Sequence, residues 1–172
     1  SYLLKAQQGQ FTGCVAPFGY RKDPEDKNHL LVDEETAPIV RQIFLWALEG
    51  HGPNYIRRRL EEEKIPCPTY WNRVRGLRNV STKWEKKDPV NGRYIWDFSV
   101  IKDILMNPVY TGAIASQKKE YRFKIGTIGE KKPEEWIVVE NQHEPLVDRK
   151  TFDIVQRKLK SRQRPRQTGE IS

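Results

Sequence analysis

Cysteine is nearly missing from this 172-residue sequence, with only Cys14 and Cys67, far apart. That rules out a disulfide framework or a cysteine-built zinc cluster, and both are read as free thiols. Histidine is also sparse: His29, His51 and His143 form no pair at helical spacing and have no cysteine neighbour to complete a tetrahedral site. No metal or cofactor is therefore expected. Long hydrophobic runs are absent too. None approaches the roughly 20 residues of a membrane span, and the opening SYLLKAQQGQ has no apolar core of the kind a secretory signal carries. The expectation is a soluble, cytoplasmic chain with no membrane partner. With 37% hydrophobic residues, it still has enough apolar side chains for one core, so wholesale disorder is excluded.

Positive charge is abundant. Lys and Arg number 31 against 23 Asp and Glu, a net +8 that suits a polyanionic partner. The excess is clustered. Between Pro53 and Tyr94 there are eleven basic residues, among them Arg73, Arg75, Arg78, Lys83 and Arg93, against five acidic ones. A second cluster, Lys118, Lys119, Arg122, Lys124, Lys131 and Lys132, is interleaved with Tyr121 and Phe123, and the tail adds a third from Arg157 to Arg166. Three clusters on one small chain point to nucleic acid, because neutralising phosphates supplies sequence-independent affinity.

Along the chain, GYRK and HLLV flank the turn residues DPEDKN and predict a β-hairpin. After Asp33, Glu34 and Glu35, the spacing of Ile39, Val40, Ile43, Phe44, Ala47 and Leu48 predicts an amphipathic helix starting near Thr36 and ending at Gly50 and Gly52. Pro53 suits a first helical position, and Ile56 with Leu60 gives a second helix its apolar pair. From Ile65 to Ile95 periodicity fails, and the segment reads as a long insertion pinned by Tyr70, Trp71, Trp84 and Tyr94.

The run WDFSVIKDILMNPVYTG then predicts a short third helix. Asp97 or Ser99 caps it, Ile101, Ile104 and Leu105 form its apolar stripe, and Asn107-Pro108 stops it. Three helices in this order fit a helix-turn-helix whose third member enters a major groove, where a few turns suffice. Downstream, VYTGAIA, KEYRFKI and EEWIVVE read as strands of a wing. A last helix follows, capped by Asp148 and carrying Phe152, Val155 and Leu159. The expected class is α+β: a three-helix helix-turn-helix-like core with a long insertion, a small antiparallel sheet or wing, and a C-terminal helix.

APFGYRKDPEDKNHLLVDEETAPIVRQIF, IRRRLEEEKIPCP, WDFSVIKDILMNPVYTGAI and WIVVENQHEPLVDRKTFDIVQRKL, in this order and spacing, resemble the recombinase domain of large serine recombinases, the phage integrases and transposon recombinases. The resemblance implies three segments. Residues 1–10 would end a connecting helix from a catalytic domain, 11–160 would be the DNA-binding domain, and 161–172 a basic linker toward a zinc ribbon. It also implies that the catalytic serine lies elsewhere, in a whole protein that is a site-specific DNA recombinase working with other recombinase subunits. The residues here agree: none of Ser1, Ser81, Ser99, Ser116, Ser161 and Ser172 is marked as a nucleophile by a neighbouring base or cationic group.

The expected partner is double-stranded DNA at an attachment half-site. Ser99 and Lys102 are assigned to base edges or adjacent phosphates, and Arg73, Arg75, Arg78, Lys83, Arg93, Lys118, Lys119, Arg122 and Lys124 to positioning the duplex. By resemblance, the loop from Gly13 to Arg21 approaches the minor groove. Two other readings stay open on sequence alone. One is a metal-dependent nuclease using carboxylates such as Asp33, Glu35 and Asp103; the other is an RNA-binding module using the aromatics as stacking platforms.

Overall fold

The computed structural model describes residues 10–11, 15–77, 83–116, 119–122, 127–130 and 137–162, with backbone alone for 84, 116, 119–122 and 127–130. The expected end of a connecting helix (1–10) therefore falls almost wholly outside the described residues, as does the basic tail beyond Arg162. The class is α+β, as expected.

The hairpin pairs β1 (Tyr20–Lys22) with β2 (Leu30–Val32) in antiparallel register, Tyr20 opposite Val32. Its turn is built by side chains that imitate backbone acceptors. Asp23 Oδ1 accepts from the Glu25 N–H, and Asp26 Oδ1 from the Asn28 N–H, each at 2.9 Å. From the hairpin the chain enters α1 (Ala37–Leu48), with proline in its first turn where no intrahelical N–H partner is lost. Val40, Ile43, Phe44 and Ala47 are buried as the spacing predicts, and Trp46 joins them. Helix α2 (Pro53–Glu62) starts on its proline and buries Pro53, Ile56 and Leu60.

The stretch from 65 to 95 is more ordered than its failed periodicity suggested. It contains α3 (Pro68–Val74) and α4 (Lys83–Lys87), followed by a 3-10 turn at Gly92–Tyr94. Neither helix has an apolar stripe long enough to show in the sequence, and α3 contains no buried residue. The two ends of this insertion are tied to each other. The Cys67 N–H donates to the Arg93 carbonyl at 2.8 Å, and the Trp96 indole Nε1 donates to the Ile65 carbonyl at 2.8 Å. The chain leaves the core and returns to it at one place, so α2 and the next helix pack as direct neighbours.

That next helix, α5 (Phe98–Met106), has Asp97 at its N-cap position and buries Ile101, Ile104 and Leu105 against α1, α2 and the C-terminal helix. The Asp97 side chain makes no cap hydrogen bond, and Ser99 lies inside the helix, not at its cap. Asn107 ends the helix and turns to the next element, its side-chain oxygen accepting from the Val109 N–H at 3.1 Å. The segment expected as a strand from Val109 begins instead as a 3-10 turn, Pro108–Thr111, because Pro108 presets the turn conformation and removes an N–H. Gly112 closes that turn at φ +89°, and a Cβ there would lie 2.9 Å from the His143 carbonyl oxygen. Only glycine fits.

Three separate two-stranded ladders are present among the described residues: β1 with β2, β3 (Ile114–Ser116) with β6 (Ile137–Val139), and β4 (Lys119–Arg122) with β5 (Thr127–Glu130). The sequence reading missed β5, whose TIGE has only the β-branched pair Thr127 and Ile128 before Gly129 and Glu130, residues depleted in strands. Helix α6 (Arg149–Arg162) starts as expected, Asp148 Oδ1 accepting from the Thr151 N–H at 2.6 Å. It buries Phe152 and Val155 on α1 and α5, and it runs two residues into the segment expected as a linker.

An aromatic and backbone network joins the hairpin to the 3-10 turn at Pro108–Thr111 and to the loop before α6. Tyr20 Oη donates to the Glu144 carbonyl at 2.7 Å, Tyr110 Oη donates to the Phe18 carbonyl at 2.7 Å, and the two rings stack. Burial holds both phenols far above their ordinary pKa, so both stay protonated donors.

Trp96 is 0% exposed and meets Phe18 edge-on, ring centroids 5.7 Å apart. Trp96→Ala is expected to cost about 3–5 kcal/mol of stability, as buried aromatic truncations do. Chemical denaturation of the variant checks this, and a loss below about 1 kcal/mol would contradict the role given to the indole.

Candidate nucleic-acid interface

A nine-residue helix is too short to hold itself in water, so the geometry of α5 is set by its packing. With Ile101, Ile104 and Leu105 turned inward, the opposite arc carries Ser99, Asp103 and Met106 exposed, while exposed Phe98 and half-buried Lys102 lie on the flank toward the C-terminal helix. Gln156 of α6 donates its side-chain amide to the Leu105 carbonyl, and Arg162 at the end of α6 donates to the Gly50 carbonyl in the turn between α1 and α2. These contacts brace α6 along one flank of α5 and leave its outer face open.

The sequence placed Ser99 and Lys102 together, and the structure does too. Both lie in the first two turns of α5 on its exposed side. Lys102 also lines a groove with Pro53, Phe98, Met106, Gln156, Leu159, Lys160 and Arg162. Phe98, Met106, Lys160 and Arg162 were missed as candidates; the i, i+4, i+8 spacing of Phe98, Lys102 and Met106 was the available signal.

The arginines assigned to phosphates are held mainly by other protein groups. Arg75, just past α3, pairs with Asp33 and with Glu35, Nη2 lying 3.0 Å from Glu35 Oε2, and its guanidinium lies 5.2 Å from the centre of the Trp71 ring. Asp33 is 5% exposed. Desolvation works against its charge, but the Arg75 bond and the Glu35 N–H outweigh it and hold the carboxyl below its ordinary pKa. Arg75 thereby fastens α3 to the junction of β2 and α1. Arg73 pairs with Glu85 of α4 at 2.8 Å. Arg93 lies between the rings of Tyr70 and Tyr94, 5.3 and 5.9 Å from their centres. On α2, Arg59 pairs with Glu63 at 2.7 Å.

Arg21 is exposed on β1 and shares a second cleft with Arg75, apart from α5. Lys83 opens α4 and is exposed. Arg78, Lys118 and Lys124 lie outside the described residues, and Lys119 and Arg122 are placed on β4 by backbone alone. Among the described residues, no group of three or more His, Cys, Asp or Glu side chains is arranged to hold a metal ion, and no helix is long and apolar enough to cross a membrane.

Residues 34–162 match the family described as Recombinase. The chain is 37% identical over 78 residues to the uncharacterized protein YefB of Bacillus subtilis (strain 168), an overlap of 44% of this chain and 26% of YefB. It is similar in structure to a chain described under "Sequence Requirements of the Listeria innocua prophage attP site", with a TM-score of 0.56, 16% identity, and coverage of 92% of this chain and 49% of that one. It is similar also to a chain from a "Crystal Structure of a LSR-DNA Complex", with a TM-score of 0.53, 16% identity, and coverage of 92% and 36%. The chain thus spans about a quarter of the curated relative and at most about half of these solved chains. The two solved chains show the same fold.

The Asp33 and Arg75 pair gives a pH-dependent expectation. Because the folded carboxyl titrates below its unfolded value of about 3.9, the pair contributes stability above that pH and loses it as pH falls through the lowered folded value. Arg75→Ala is expected to cost about 1–3 kcal/mol at neutral pH and to lose less than the native chain on acidification below about pH 4. Denaturation midpoints measured against pH check this; equal acid sensitivity in the two proteins would contradict it.

Proposed function

This chain belongs to the Recombinase family, the recombinase domain of large serine recombinases, and from that premise we propose that it binds double-stranded DNA at an attachment half-site as the central domain of a serine site-specific recombinase. The observation that carries the reading is α5, a helix fixed on one side by α1, α2 and α6 and open on the other, its first turns presenting Ser99 and Lys102. A groove-reading helix contacts base edges chiefly through its N-terminal residues, so a short rigid helix that exposes Ser99 in its first turn and carries Lys102 in its second meets the requirement.

Phosphate contacts come from exposed cations on other elements of the chain. Arg21, exposed on β1, serves directly, and Lys83 stays assigned to phosphates on its sequence position. Arg73, Arg75 and Arg93, already paired or stacked within the protein, act mainly by holding α3, α4 and the 3-10 turn in place. Arg78, Lys118, Lys119, Arg122 and Lys124 stay assigned to phosphates on their sequence positions. The loop ending at Arg21 lies toward the minor groove. Strand cleavage and rejoining belong to another part of the whole recombinase, which acts with further recombinase subunits in the cytoplasm.

Footprinting and competition among duplex DNA, single strands and structured RNA test the reading. The chain is expected to protect one half-site and to prefer duplex. Lys102→Ala is expected to change the preference among sequences. Arg21→Ala is expected to weaken all duplexes about equally and to flatten the dependence of log affinity on log salt by about 0.9. If both variants bind as the native chain does, the docking is wrong; a preference for single strands or RNA, or Mg²⁺-dependent cleavage by the isolated chain, would overturn the binding assignment.

A further inference from the structure

Helix α5 carries more exposed apolar surface than its fold requires. Its core stripe is complete with Ile101, Ile104 and Leu105, yet Phe98 is 45% and Met106 43% exposed, on the arc that also carries Lys102. Isolated exposed apolar residues need no explanation, but two on one short helix, sharing a groove, form a patch. The groove measures about 380 Å³ and is bounded by the start of α2 and the second half of α6. Its lining is apolar at Phe98, Met106, Leu159 and Pro53, and cationic at Lys102, Lys160 and Arg162. None of its lining residues is acidic, and the Arg162 guanidinium donates to the Gly50 carbonyl.

An apolar lining with three cations calls for an apolar group attached to a polyanion. On the major-groove edges of DNA, the one apolar group is the 5-methyl of thymine, and it is flanked by phosphates. We infer that Phe98 reads a thymine methyl in the major groove, with Met106 continuing the apolar contact one base step or more along the strand and Lys102, Lys160 and Arg162 facing the adjoining phosphates. Phe98 opens the helix, where side chains come nearest to base edges. This inference rests on α5 being the groove-reading helix and adds what that helix recognises.

The test alters the DNA, so it cannot unfold the protein. Duplexes selected by the chain from a random-sequence pool are resynthesised with deoxyuridine, which lacks the 5-methyl, in place of each thymidine in turn. The native chain is expected to bind about fourfold more weakly when the critical methyl is absent, the factor that burying one such group gives. Phe98→Ala is expected to bind the thymine and uracil forms of that site equally, and Phe98→Leu, which keeps an apolar contact, to retain part of the discrimination. No loss at any thymidine, or the same loss in Phe98→Ala as in the native chain, overturns the inference while leaving sequence-specific binding through Lys102 intact. If the chain selects no duplex sequence at all, the reading of α5 fails first and the inference with it.

Discussion

The hydrogen bond from the Trp96 indole to the Ile65 carbonyl fixes the relation between α2 and α5, and everything proposed for α5 depends on that relation. A chain that leaves a helical core for a long insertion loses entropy on bringing its ends together. Here the ends meet twice, at Trp96 with Ile65 and at Arg93 with Cys67, and Phe18 packs against the indole from the N-terminal side. The insertion becomes an extended turn. α1, α2 and α5 can then pack as a helix-turn-helix although α3 and α4 intervene in sequence, and α5, too short to persist alone, is held by its neighbours.

Electrostatics divides the basic residues into two sets. A net charge of +8 suggests a surface ready for phosphate, but several of the arginines that produce it face carboxylates or rings of the same chain. Arg75 with Asp33 and Glu35, Arg73 with Glu85, and Arg93 between Tyr70 and Tyr94 hold elements together, and Arg59 with Glu63 pairs along α2 itself. The exposed pairs among these contribute little each. The Asp33 contact differs because its carboxylate is buried, and removing the guanidinium would leave that charge unpaired. A count of cations in a loop therefore overstates those available to a ligand.

Much of the fold was legible where local chemistry decides it. The DPEDKN turn, the start of α1 at Thr36, the proline start of α2, the Ile101, Ile104 and Leu105 stripe and the Asp148 cap all have short-range causes, and all stand where the sequence put them. What was not legible has long-range causes. Helices α3 and α4 present no apolar period because they lie on the surface of an insertion and are held by ends far apart in sequence. Val109 to Thr111 has strand-like composition, but Pro108 and the cap from Asn107 decide its conformation. Within the candidate site, Ser99 and Lys102 could be picked from their helix. Lys160 and Arg162 could not, because only tertiary packing brings the end of α6 beside α5.

The account turns on whether α5 is where duplex DNA docks. Amide chemical-shift mapping during titration with a half-site duplex tests this most directly. The account predicts the largest shifts along Phe98 to Met106, with smaller ones near Arg21 and Lys83. Saturable duplex binding that leaves the α5 amides unmoved, and perturbs another face of the protein instead, would contradict it.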